Sequence, residues 1–173
     1  MNLLNYDCIT AAGPAVHDLM QGLFHGKDFS NTSSQNQWGN QPVVSGGRVC
    51  LVKDQNLSKR HYQQTMVLHF QKMWDRTKSK AEFKKASVLV VFASTKGSVE
   101  DFIWEKSTSV REMPDPYSGV AHDIEKIIKS DFAHIESLVV SNACASSHVA
   151  FEIADDFLKQ KSFDYVLVFT SDL

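Results

Sequence analysis

Ser87-Val88-Leu89-Val90-Val91-Phe92-Ala93 decides how the chain folds. The run has strand length, is rich in β-branched side chains, and shows no polar alternation. A strand with one wet face alternates, so an unbroken apolar run predicts a strand covered on both faces. Ser94-Thr95-Lys96-Gly97 ends it, and a helix is expected to follow through Ile103 and Trp104. A sheet covered on both sides needs helices on both sides, and the flanking sequence supplies their pattern.

Upstream, Gly13-Pro14 opens a helix, with Val16, Leu19, Met20, Leu23 and Phe24 on one apolar face and Gly26 as its stop. The segment from Ser30 to Gly47 is rich in Ser, Asn, Gln and Gly and reads as a loop, followed by a short strand around Arg48 to Val52. Ser58 caps a second helix to about Arg76, with Tyr62, Met66, His69, Phe70, Met73 and Trp74 inward. Lys78 to Lys85 is a solvated end or a short helix.

Downstream, Pro114 and Pro116 break the chain, and Val120, Ala121, Ile124, Ile127 and Ile128 mark an amphipathic helix. Leu138-Val139-Val140 is a short buried strand. Val149, Ala150, Ile153, Ala154, Phe157 and Leu158 repeat with helical spacing, with Lys159 and Lys161 near the end where cations complement the helix dipole. Asp164 to Phe169 is the last strand. Strands alternating with helices predict one layered α/β domain over residues 1–173, with helices on both faces of its sheet.

Hydrophobic residues make up 43% of the 173 and charged residues 22%, which is ordinary globular usage. The formal net charge of -2 offers no basic field for nucleic acid or anionic lipid. The longest apolar run falls far short of the ~20 residues that cross a bilayer, so no membrane span is expected. The start of the chain lacks the pattern of a secretory signal. Cys8, Cys50 and Cys144 show no C-x-x-C spacing and cannot all pair, which fits free thiols in a reducing cytoplasm. No cofactor or metal site is expected.

Ser141-Asn142-Ala143-Cys144-Ala145-Ser146-Ser147 follows a strand and precedes a helix. A cysteine at such a corner meets the unpaired N–H groups and partial positive charge of the helix start, which favour its thiolate. Small neighbours admit a substrate, and the Cys144 N–H can help hold an oxyanion. The alternative from context alone is an inert packed cysteine.

This turn, and the stretch from Glu136 to Asp172, is similar to the β-ketoacyl-acyl carrier protein synthase (ketosynthase) family, in which an Asn-Ala-Cys-Ala-Ser-type turn lies between strand and helix. Cys8 to Gly13 resembles the family's opening Thr-x-x-Gly turn, Leu19 to Lys27 its first helix, and Ser94 to Gly97 its glycine turn after the second strand. The resemblance implies the N-terminal half of a thiolase-like α-β-α fold with a mixed sheet. It also implies Cys144 as acceptor of an acyl group from an acyl carrier protein thioester, before condensation with a malonyl thioester. The implied partners are acyl carrier protein and a second ketosynthase chain, as homodimer or heterodimer, with the strand before Cys144 at the two-fold. The family's two histidines and lysine belong to a second half that this chain does not match.

Three positions depart from the family. Ser147 stands where a glycine usually follows Cys-Ala-Ser, Phe169-Thr170-Ser171 replaces a glycine-rich strand end before Asp172, and the opening strand is shortened. A non-catalytic module that dimerises or docks with a full ketosynthase is the competing expectation. His148, four residues after Cys144, is either near the thiol or simply packed or solvent-facing. His17, His25, His61, His69, His122 and His134 lack metal-ligand spacing. Cys8 and Cys50 read as small buried residues, Asp155-Asp156 as a solvated pair, and Lys78, Lys80, Lys84 and Lys85 as a wet face.

Overall fold

The computed structural model describes residues 6–8, 15–27, 30–32, 37–38, 41–42, 48–50, 62–78, 83–97 and 117–171. They divide between two compact units, one of residues 1–3 with 60–173 and one of residues 4–59.

In the larger unit, the run Ser87–Ala93 is the middle strand. The smaller unit holds α1 (Val16–Phe24), β1 (Ser30–Thr32), β2 (Gln37–Trp38), β3 (Gln41–Pro42) and β4 (Arg48–Cys50). The larger holds α2 (Tyr62–Thr77), β5 (Ser87–Ala93), α3 (Ser118–Ile128), β6 (His134–Val140), α4 (Ser146–Lys159) and β7 (Tyr165–Thr170). The sheet order is β6-β5-β7 with every pairing parallel, Val91 lying opposite Leu138 on one side and Val168 on the other. The mixed sheet expected from the family resemblance is therefore not found among the described residues, whose antiparallel pairings lie in the smaller unit.

Period-two alternation sorts β5 between two cores. Val88, Val90 and Phe92 face Met66, Phe70 and Trp74 of α2 and Val120, Ile124 and Ile128 of α3. Leu89, Val91 and Ala93 face Ala150 and the half-buried Val149, Ile153 and Phe157 of α4. Val88 through Phe92 are buried almost completely. At ~1.5–3 kcal/mol per side chain, these five contribute roughly 10 kcal/mol, comparable with the whole net stability of a domain. Aromatic rings finish the α2 side, where Phe70 meets Phe169 edge-on at 5.4 Å and Phe83 stacks on Phe132 at 4.8 Å.

Polar anchors hold the helices in place. The Trp74 indole N–H donates to Asp131 Oδ2 (2.8 Å), and Gln63 Nε2 donates to Asp123 Oδ2 (2.9 Å) to tie α2 to α3. The helical faces expected for α2, α3 and α4 are the buried ones, His69 included, although the side chain of Tyr62 and the capping Ser58 lie outside the described residues. The helix expected through Ile103 and Trp104 also lies outside them.

Two expectations change in the smaller unit. The short strand expected from Arg48 is found as β4, but the segment before it, read as a loop, carries β1, β2 and β3, which form antiparallel ladders β1 with β4 and β2 with β3 and are too short to leave a periodic signal. Helix α1 ends as expected, with Gly26 at φ +60. Of its expected apolar face, Val16 and Leu19 are half-buried beside the buried Gly22, while Met20, Leu23 and Phe24 stay exposed.

At the N-terminal end of the sheet, Ser87 and Asp164 clasp β5 to β7. Ser87 N–H and Oγ–H donate to Asp164 Oδ2 (2.7 and 2.8 Å), and Asp164 N–H donates back to Ser87 Oγ (3.0 Å). The backbone and side-chain hydrogen bonds from Ser87 hold the Asp164 carboxyl below its ordinary value of 3.8. A carboxylate lowered by folding stabilises above its unfolded value and stops doing so as pH falls through the folded one. Asp164→Asn is therefore expected to be less stable than wild type at pH 7, with the difference shrinking below about pH 4. Urea unfolding of both proteins across that range checks it.

Candidate active site

Cys144 sits where β6 hands over to α4. Helix α3, the next described helix after β5, and helix α4, which follows β6, pack on opposite faces of the sheet. In parallel α/β sheets, strand ends framed in that way are where ligands bind.

The turn is tight and strained. Ala143 has φ +43, a left-handed conformation that costs a residue with a Cβ about 1–2 kcal/mol. Such strain persists only where surroundings over-determine it, and here one carbonyl collects the restraints. The Ala143 oxygen accepts from Ser146 N–H (3.2 Å), from Ser146 Oγ (2.7 Å) and from Thr95 Oγ1 (3.1 Å). Ser146 is buried, and its Oγ also accepts from Asn142 N–H (2.9 Å). Ala145 N–H closes the turn on the Asn142 carbonyl (2.9 Å).

The result presents the thiol outward. Cys144 is free and exposed, which removes the packed-residue alternative, and Ala143 and Ala145 beside it are exposed and small. Helix α4 begins two residues later, which places Cys144 beside the positive end of its dipole, while Ser146 N–H donates to the Ala143 carbonyl and Val149 N–H to the Ala145 carbonyl (3.0 Å).

A second cluster of hydroxyls lies at the C-terminal ends of β5 and β6. Tyr117, at the start of α3, donates from Oη to the Thr95 carbonyl (3.2 Å) and lies 3.1 Å from Ser141 Oγ, itself 3.4 Å from that carbonyl. Two hydroxyl protons serve these three contacts, which join the end of β5, the start of α3 and the end of β6. Thr95, Tyr117 and Ser146 were not singled out for this role by sequence. Thr95 and Ser146 stand in turns that the sequence does mark, whereas nothing local marks Tyr117.

Other candidates fall away from the corner. His148 is exposed on the first turn of α4, with no hydrogen bond to Cys144 among the described residues. His17, His25, His122 and His134 are exposed, His69 is buried in the α2 core, and His61 lies outside the described residues. Asp155 is bonded to Lys159 (2.5 Å), which holds its carboxyl below the ordinary range and keeps it ionised, unsuited to act as an acid. Lys84 and Lys85 are exposed at the opposite end of the sheet, and Lys78 pairs with Asp75 (2.8 Å). Cys8 is half-buried, and the Cys50 side chain lies outside the described residues. No group of His, Cys, Asp or Glu that could hold a metal occurs among the described residues, nor does a helix long and apolar enough to cross a membrane.

No family model, curated protein or solved structure matches this chain.

Ser146→Ala removes both side-chain bonds that pin the turn. The expected cost is about 1–3 kcal/mol, because buried polar partners lose their bonds. Chemical denaturation checks the stability change, and the alkylation rate of Cys144 in the folded variant reports whether the thiol has been displaced.

Proposed function

We propose that Cys144 is the acyl acceptor of a ketosynthase-like site on the N-terminal half of a thiolase-like fold, taking its acyl group from a carrier-protein thioester. The observation that carries this reading is an exposed thiol on a strained strand-to-helix corner at the C-terminal ends of β5 and β6. The likeness of Ser141 to Ser147 to the family's nucleophile turn supplies the substrate class.

The chemistry asked of these residues is thioester exchange. The Cys144 thiolate adds to the acyl carbonyl, and the carbonyl electron pair moves onto oxygen. The Cys144 N–H favours that oxyanion, a kind of stabilisation worth several kcal/mol in acyl transfer. Collapse of the adduct expels the carrier thiolate, which takes a proton, and leaves an acyl-S-cysteine. One thioester is broken and one formed, so no oxidant or metal is needed. Decarboxylation of a malonyl thioester calls for the histidine pair of the family's second half, and His148 makes no hydrogen bond to the thiol among the described residues.

The decisive experiment is incubation with acyl-carrier-protein thioester followed by intact and peptide mass analysis. An acyl adduct on Cys144, absent from Cys144→Ala, is expected. A folded protein that gains no adduct, including when a full ketosynthase partner is present, would sink the catalytic reading.

A dimerising, non-catalytic role has its own support. Strand β6 forms one border of the described sheet, with Glu136 and Ser137 exposed and Leu138 and Val139 half-buried. A strand border offers unpaired backbone groups to another strand, and a two-fold pairing of β6 with a second copy would satisfy them. Light scattering is expected to give a dimer, and Val139→Pro, which removes a backbone N–H and disfavours pairing, to weaken it. A monomer at high concentration would count against this role.

A further inference from the structure

The three donors on the Ala143 carbonyl have a consequence beyond holding the turn. The peptide joining Ala143 to Cys144 is planar and trans, so the carbonyl oxygen of Ala143 and the N–H of Cys144 point in opposite directions as one rigid plate. Whatever aims the oxygen therefore aims the N–H. Two of the three donors come from Ser146, within the turn itself. The third, Thr95 Oγ1, comes from another chain segment, 48 residues earlier, at the end of the central strand. Of the three, it is the bond that refers the plate to the rigid core of the sheet. Tyr117 Oη, donating to the Thr95 carbonyl, holds Thr95 from the α3 side in turn.

We propose that Thr95 is a positioning residue for acyl transfer at Cys144: its hydroxyl holds the Ala143–Cys144 peptide so that the Cys144 N–H faces the oxyanion of an attacked thioester. The inference rests on the reading of Cys144 as an acyl acceptor and adds to it a division of labour. The thiol supplies the nucleophile, and the loop after β5 sets the direction of the donor. An attack that forms an oxyanion depends on Thr95, whereas a displacement at saturated carbon, which forms none, does not.

That difference gives the test. The full chain is treated with octanoyl-N-acetylcysteamine, a small thioester, and separately with iodoacetamide, and adducts at Cys144 are timed by mass spectrometry. Thr95→Val, close in shape but without the hydroxyl, is expected to slow acylation about fivefold, the equivalent of one hydrogen bond near 1 kcal/mol. Its alkylation rate stays within about twofold of wild type on this account, the thiol being unchanged. Thr95→Ser restores acylation, and Tyr117→Phe slows it in the same sense but less. Equal acylation by wild type and Thr95→Val overturns the positioning role alone. Parallel loss of acylation and alkylation overturns it too, because that is the mark of a merely structural defect. A wild type that alkylates but accepts no octanoyl group overturns both the role and the acyl-transfer reading beneath it.

Discussion

Burial of β5 on both faces is the constraint from which the rest of the larger unit follows. A strand that is apolar from Val88 to Ala93 has no wet side there, so it must lie between neighbours and under helices on each face. Parallel β6 and β7 flank it, and a parallel partner can be reached only by a crossover, which is why helices come between the strands. Helices α2 and α3 cover one face and α4 the other. With the central strand alone contributing roughly 10 kcal/mol of burial, the arrangement has little freedom to vary.

The candidate site is a by-product of the same layering. Helices on opposite faces frame the C-terminal ends of β5 and β6, the place where parallel α/β sheets bind ligands, and the strained turn before α4 leaves Cys144 exposed there. The strain at Ala143 is small beside the burial energy of the sheet. Ser146 and Thr95 bear on one carbonyl and keep it in place. The core thus supplies the rigidity, and a few hydroxyls convert it into a direction for one thiol and one N–H.

Much of this was legible in the residues themselves. The apolar run from Val88 to Ala93, the helical spacing of Val120 to Ile128 and of Val149 to Leu158, and Gly26 as a helix stop each have one physical meaning, and each is found. Strand β6 was legible only in its last three residues, because at the sheet's border Glu136 and Ser137 can stay wet and break the apolar signature. The apolar stripe of α1 did not tell which side is buried, since Gly22, with no side chain to read, lies on the buried line. Strands β1, β2 and β3 are too short to carry a period, whereas β4 falls where a strand is expected from Arg48.

By itself the sequence determined what is local: the strand that must be covered, the helices that can cover it, and a cysteine between a strand and a helix. Those properties are written in side chains a few residues apart. Only the tertiary structure decided that the thiol is exposed and that Thr95, Tyr117 and Ser141 meet beside it, since these come from three segments that the sheet brings together. Hydrogen bonds between hydroxyls and carbonyls leave no spacing rule along the chain; their partners are chosen by packing, and packing is set by the burial of β5.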